Sequence, residues 1–154
     1  MIKIVLAFLL FPAILVAHGG HRAVVTITPT DTAITVEVSV ATPDLDQVLD
    51  DPELCAPDQD RMVCEAGYLS STLTVTINGE QRPLYLDVAS RTAERTIVTF
   101  TVPVKPTDVK VVGVRSTCLL DHDPKYRTMV NLRLVDDVSY ELTNEQSSFS
   151  HTVR

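Results

Sequence analysis

The chain has 154 residues, enough for one domain around one hydrophobic core. Hydrophobic residues make up 45% and charged residues 21%, a composition that excludes a disordered chain. The net charge is -7 and no basic run offsets it, which excludes nucleic acid and anionic membranes as natural partners and favours cations or basic proteins.

The amino terminus reads as an export signal. Met1-Ile2-Lys3 is a weakly basic start, and Ile4 to Val16 is apolar apart from Pro12. Ala17 then offers a small residue before the polar His18-Gly19-Gly20-His21. This three-part layout predicts a signal peptide over 1–17 and a mature domain over 18–154. The apolar run is shorter than the ~20 residues a membrane helix needs, so it is not expected to be an anchor. A cut after Ala17 makes His18 the first residue, whereas a cut after Gly19 discards it. No later stretch is apolar for long enough to cross a bilayer, so the mature chain is expected to be soluble and extracytoplasmic, periplasmic or secreted.

Beyond the signal, apolar and polar residues alternate with period two, the pattern of strands that bury one face. Val24–Thr28 and Ala33–Val40 form a hairpin over Thr30-Asp31-Thr32. From Thr42 to Ser71 the alternation breaks. This segment carries Cys55, Cys64, three prolines and the carboxylates Asp44, Asp46, Asp50, Asp51, Glu53, Asp58, Asp60 and Glu65. It reads as a long acidic, cysteine-containing loop, with at most one helical turn over Asp44–Asp51 where Leu45, Val48 and Leu49 have helical spacing. Strands resume at Leu73–Ile77, and Asn78-Gly79 closes a tight hairpin onto Leu84–Val88 because both residues accept positive φ. Val98–Val102 follows. Lys105-Pro106-Thr107-Asp108 separates two further strands, and Asp136-Asp137 joins Val130–Leu134 to Val138–Leu142 in a last hairpin. The predicted fold is all-β, an antiparallel β-sandwich of immunoglobulin-like type.

In an oxidising compartment Cys55 and Cys64 are the natural disulfide pair, although sequence leaves open a pairing of either with Cys118. Next to Leu119 and Leu120, Cys118 reads as a small buried hydrophobe.

Two segments carry metal-ligating chemistry. If His18 is the first residue, its α-amino group and imidazole chelate one ion together, and His21 adds a second imidazole. Amine and imidazole nitrogens suit Cu(II), Ni(II) and related divalent ions. Further on, Asp121-His122-Asp123 places two carboxylates around an imidazole, either of which can orient the ring or join it as a ligand. Neighbouring strand residues face opposite ways, so the three converge only in a turn, as Pro124 suggests. The same segment also reads as a charged edge turn with a salt bridge to Arg127. The acidic loop has calcium-type oxygens but lacks the ordered Asp spacing and the glycine of an EF-hand, and reads as a solvated surface. There is no G-x-S-x-G, no H-E-x-x-H and no phosphate-cradling glycine loop, so no enzyme activity is expected.

Taken together, four features resemble the extracytoplasmic N-terminal domain of HupE/UreJ-type membrane proteins. They are His18 after the signal, the hairpin Leu73 to Gly79, the segment Asp121-His122-Asp123-Pro124-Lys125-Tyr126-Arg127, and the apolar strand Met129–Leu134 with its terminal hairpin. The resemblance spans nearly all of the mature chain and implies a free-standing ectodomain, without membrane helices, linked to nickel or cobalt handling. Members of that family often carry an EF-hand-like acidic loop; here that pattern is replaced by Cys55 and Cys64. The chain is also similar, less closely, to small periplasmic copper carriers with an N-terminal His and an Asp-x-His, from which Asp121-His122 departs by one residue. The expected function is binding. One divalent transition ion (Cu, Ni or Co) would sit at His18, with His21, His122, Asp121 and Asp123 as further candidate ligands. The competing expectation is a metal-free module that docks on a membrane or envelope partner.

Overall fold

A computed structural model describes residues 22–154. The predicted signal peptide, His18 and His21 lie outside the described residues. Among these there are ten strands and two α-helices, in the order β1 (Arg22–Pro29), β2 (Ile34–Ala41), α1 (Thr42–Leu49), α2 (Arg61–Thr72), β3 (Leu73–Ile77), β4 (Glu80–Arg82), β5 (Tyr85–Arg91), β6 (Arg95–Val102), β7 (Val111–Ser116), β8 (Arg127–Arg133), β9 (Asp137–Leu142) and β10 (Ser148–Thr152). The chain is mostly β, arranged in two sheets. One has six strands in the order β5-β6-β2-β1-β8-β9, and the other has four in the order β10-β7-β3-β4.

The alternation places the core as expected. Val25, Ile27, Val36, Val38, Val98, Phe100, Val130 and Leu132 from the large sheet are buried with Val75, Ile77, Val112 and Val114 from the small one. These side chains form one hydrophobic cluster. In the alternate positions, Thr26, Thr28, Thr35, Thr99 and Thr101 sit half-buried on the other face of the large sheet. Two glycines have specific roles. Gly79 (φ 85°) and Asn78 (φ 55°) make the predicted turn. Gly113 lies opposite Thr76, where a Cβ would collide with the threonine hydroxyl.

Three expectations are corrected. First, the Asn78-Gly79 hairpin returns only as the short β4; the next strand, β5, crosses to the large sheet and pairs with β6. The side chain of Asn78 explains the tight anchor: its Oδ1 accepts from the backbone N–H of Lys110 and Val111, and its Nδ2 donates to the Asp108 carbonyl. Second, the pairing is not wholly antiparallel, because β1 and β8 run parallel, with Arg22 opposite Arg127. Third, the acidic segment is not one long loop. The helical turn expected over Asp44–Asp51 is present as α1, but α2 follows it, and a further strand, β10, follows the hairpin that was expected to end the fold.

The helices form for legible local reasons. Pro43 opens α1, and Leu45 and Leu49 bury one face. Asp60 caps α2 by accepting from the N–H of Met62 (2.8 Å) and Val63 (3.4 Å). Cys55 and Cys64 are bonded, with Cα atoms 5.6 Å apart, and this staples the connection between the helices. What seats the pair on the sheet is charge. Glu65 of α2 is 1% exposed and forms an ion pair with Arg91 of β5. Arg91 also donates to both oxygens of Asp46 on α1, at 2.8 and 2.9 Å. From α2, Arg61 donates to Asp46 Oδ1 (2.8 Å) and to the Leu49 carbonyl (2.7 Å), so it closes the end of α1.

The β5 edge of the large sheet is managed. The register of β5 shifts between Leu86 and Val88, and Asp87 lies at that bulge, which disfavours extension by another strand.

Replacing Cys55 and Cys64 together by serine is expected to lower the unfolding free energy by about 2–3 kcal/mol, read by denaturant titration, because a short closed loop is released in the unfolded chain. Asp46 supplies a second test. Burial works to raise its pKa, but the hydrogen bonds and charges of Arg61 and Arg91 outweigh it and hold the carboxyl below its ordinary value. A depressed folded pKa means stabilisation that is complete above the unfolded value of ~3.9 and lost as pH falls through the folded one. Stability measured against pH should therefore fall less steeply below about pH 4 in Asp46→Asn than in the wild type; parallel curves would show that Asp46 takes no part in acid unfolding.

Candidate functional site

The two ends of the molecule differ. At one end the strands are joined tightly, by Thr30–Ala33, by Asn78-Gly79 and by the Arg133–Asp137 connection. The other end collects the start of β1, both helices, and the turn that runs from Thr117 to Tyr126 between β7 and β8. The registers require this. Val24 of β1 lies opposite Ser39 near the end of β2, and Leu73 at the start of β3 lies opposite Ser116 at the end of β7.

The Thr117–Tyr126 turn is held in an unusual conformation. Leu119 has φ 60°, a left-handed backbone that costs a non-glycine residue roughly 1–2 kcal/mol. Burial at 1% exposure secures it. Its N–H donates to the hydroxyl of Tyr68 on α2 (2.9 Å), and its carbonyl accepts from the N–H of His122 (3.1 Å) and Asp123 (2.8 Å). Asp123 Oδ1 in turn accepts from the Lys125 N–H at 2.9 Å. The backbone of the turn thus fixes where residues 121–123 stand.

A cleft of about 130 Å³ opens between this turn and α1, lined by Asp44, Gln47, Leu119, His122, Asp123 and Tyr126. Two of the three expected residues of the turn, His122 and Asp123, line it. Asp121 is exposed and is not among the lining residues. Neither aspartate orients the imidazole. Its Nε2 faces Gln47 Oε1 at 3.0 Å, a partner from α1 that is 75 positions away in sequence. The expected salt bridge from this turn to Arg127 is also replaced, since Arg127 donates to Glu141 of β9 at 2.6 Å. Tyr126 is buried and its hydroxyl points to Asp44 at 3.4 Å. Burial, with Cys118 and Asp44 nearby, pushes its phenol far up, and burial likewise raises Tyr68 to about 12. Both phenols therefore stay protonated as hydrogen-bonding groups.

Among the described residues, no group of three or more His, Cys, Asp or Glu is arranged to hold a metal ion. The acidic segment has committed much of its charge to structure: Asp46 and Glu65 to the arginines, Asp60 to the α2 cap, and Asp51 to the Glu53 N–H. Gln47 and Tyr126 are the cleft residues that sequence reading passed over. Gln47 gave no signal, being a polar residue between the apolar positions Leu45 and Val48 of the expected helical turn, and Tyr126 stood inside a motif valued for its charges.

Cys118 is 3% exposed. Burial pushes its thiol up to about 12, against a small opposing hydrogen bond with Thr72. No protein-family model matches this chain, and no curated protein matches it.

A thiol so raised holds almost no thiolate at neutral pH. Native protein treated with iodoacetamide at about pH 8 is expected to stay unlabelled at Cys118 and to label there once unfolded, as read by peptide mass; rapid labelling of the native state would place the thiol in reach of solvent.

Proposed function

We propose that this chain is an exported binding domain that takes one divalent transition ion, copper, nickel or cobalt, at its amino terminus. The fold underlying it is read as an immunoglobulin-like β-sandwich carrying a helical insertion, and the chain as a relative of the HupE-type ectodomain. Its compartment is read as extracytoplasmic, which the Cys55–Cys64 disulfide suits. No described helix is long and apolar enough to cross a membrane.

One observation carries the metal reading. Because β1 and β8 are parallel and Arg22 lies opposite Arg127, the chain that enters β1 and the chain that enters β8 arrive at the same end of the sheet. The first of these is His18-Gly19-Gly20-His21, and the second contains Asp121-His122-Asp123. Four residues of extended chain reach at most ~14 Å. The cleft lined by His122 and Asp123 opens at this same end, so those two side chains are the candidate further ligands for an ion held at His18. The chelate itself needs only the freed α-amine and imidazole of His18, groups that prefer late first-row divalent ions.

A second reading rests on a different surface. The edge strand β5 exposes Tyr85, Leu86 and Val88, each more than half exposed, which suits a face that docks on a membrane or envelope protein.

Native mass spectrometry of the exported, processed protein with Ni(II) or Cu(II) separates these. Chain mass starting at His18 with one ion retained, and loss of that ion in His18→Ala, is the expected result. A mass starting at Gly20, or an ion retained equally by His18→Ala, sinks the chelating terminus and leaves the β5 surface as the better reading.

A further inference from the structure

Among the described residues, exposed large apolar side chains gather in two places, with Val135 apart. One is Tyr85, Leu86 and Val88 on β5, and the other is Leu54, Met62 and Val63 beside the disulfide. The second group borders a groove. The connection between the helices and the outward face of α2 enclose about 310 Å³, lined by Leu54 and Val63 and, further along the helix, by Gly67 and Ser71. Val63 stands in the first turn of α2 and is 65% exposed, so the fold itself gains little from its apolar surface.

The groove is built before anything enters it. Leu54 precedes Cys55 and Val63 precedes Cys64, so the bond between the cysteines fixes the spacing of the two apolar side chains. The N–H groups of Leu54 and Cys55 both donate to the Asp51 carbonyl at 3.0 Å, and the Ala56 N–H donates to Gln59 Oε1 at 3.1 Å, which orders the loop. On the helix side, Ser70 and Ser71 turn their hydroxyls back onto the carbonyls of Gly67 (2.9 Å) and Tyr68 (2.7 Å). Those polar groups are thus occupied within α2. Gly67 adds a separate indication. Glycine is a poor helix former, its φ here is not positive, and a Cβ at this position would meet no atom within 4 Å. Nothing in the described fold requires glycine there. Its missing side chain leaves room for a second backbone to come close to α2.

We propose that this groove is a docking site for an amphipathic helix of a partner protein, apolar on one face and bearing lysine or arginine along its margins. The apolar face covers Leu54 and Val63, and the backbone passes over Gly67. Charge selects this occupant. Glu53 lines the groove, and Asp50, Asp51, Asp58 and Asp60 stand in the same connection, which holds no lysine or arginine. The next cation along the chain, Arg61, is already committed to Asp46 and to the Leu49 carbonyl. A second copy docked face to face would set carboxylates against carboxylates, and an anionic lipid surface would be repelled in the same way. The disulfide holds the two apolar side chains in place beforehand, so less freedom is lost on docking. This surface does not depend on the metal reading above.

The test uses the full mature chain and two fluorescein-labelled helical peptides. One is built from leucine and lysine with the leucines on one face, and the other has glutamate in place of each lysine. Fluorescence anisotropy reports affinity, and proton–nitrogen NMR shifts report where the peptide sits. The leucine–lysine peptide is expected to move the amide signals of Leu54, Val63, Gly67 and Ser71, and to bind at least about 10-fold more tightly than the glutamate peptide. Gly67→Leu fills the groove from a position with open space around it. Its thermal midpoint should match or exceed that of the wild type, while affinity falls at least about 10-fold. Val63→Ser, at an exposed position, should also weaken binding. Glu53→Gln combined with Asp58→Asn should weaken it and flatten its dependence on salt. Equal affinity for the two peptides overturns the proposal, as does no binding of the leucine–lysine peptide. Unchanged affinity in folded Gly67→Leu and Val63→Ser proteins, or shifts centred on Tyr85, Leu86 and Val88, overturns it as well.

Discussion

Glu65 is a carboxylate at 1% exposure in the middle of the buried stripe of α2. A charge taken that far from water costs several kcal/mol unless a cation and hydrogen bonds meet it. Arg91 supplies both, and because its guanidinium forks, it reaches Asp46 of α1 as well. With Arg61 added from α2, four side chains tie both helices to the edge strand of the large sheet. Removing Arg91 would leave Glu65 buried without its cation, the costly half of such a pair. The value of this network lies in geometry more than in net energy. It sets where α1 lies, and so where one wall of the cleft lies.

The rest of the candidate site depends on that wall. The opposite wall is the Thr117–Tyr126 turn, and it is also anchored through the insertion, since Tyr68 of α2 accepts the N–H of Leu119. A left-handed leucine persists only where its surroundings over-determine it. Here the surroundings are a buried side chain and a tyrosine from a helix that the charge network seats. The cleft is thus a product of the insertion acting from both sides, while the two sheets supply a rigid base.

Much of the fold was readable in advance because sheet burial imposes a period of two that local sequence cannot hide. The runs Ile34–Val40, Leu73–Ile77, Val98–Val102 and Val138–Leu142 all fall within strands, and the disulfide joins the two nearest cysteines. Helix α2 was hidden. Its stripe of Glu65, Ala66 and Leu69 is interrupted by a charged residue, and Gly67, Ser70, Ser71 and Thr72 are weak helix formers. Strand β10 was hidden because Ser148, Ser150 and Thr152 alternate with residues that are only half-buried, including His151 in a hydrogen bond with Tyr140. Of the site, His122 and Asp123 were legible as ligand types, whereas Gln47 was not, because its role exists only in contact with a ring 75 positions away.

The division has a physical basis. Alternation, turn chemistry and the apolar amino terminus are local properties, and they determined the two faces of each strand, the Asn78-Gly79 turn and the expectation of export. Which strand a given strand pairs with is a long-range outcome. It was decided by how two sheets share one core, and it sent β5 across to β6 and made β1 parallel to β8. The burial of Glu65, the left-handed Leu119 and the Gln47–His122 bond belong to the same class. Each is unfavourable or meaningless within its own segment, and each becomes stable only when a partner far away in sequence supplies the cation, the packing or the acceptor.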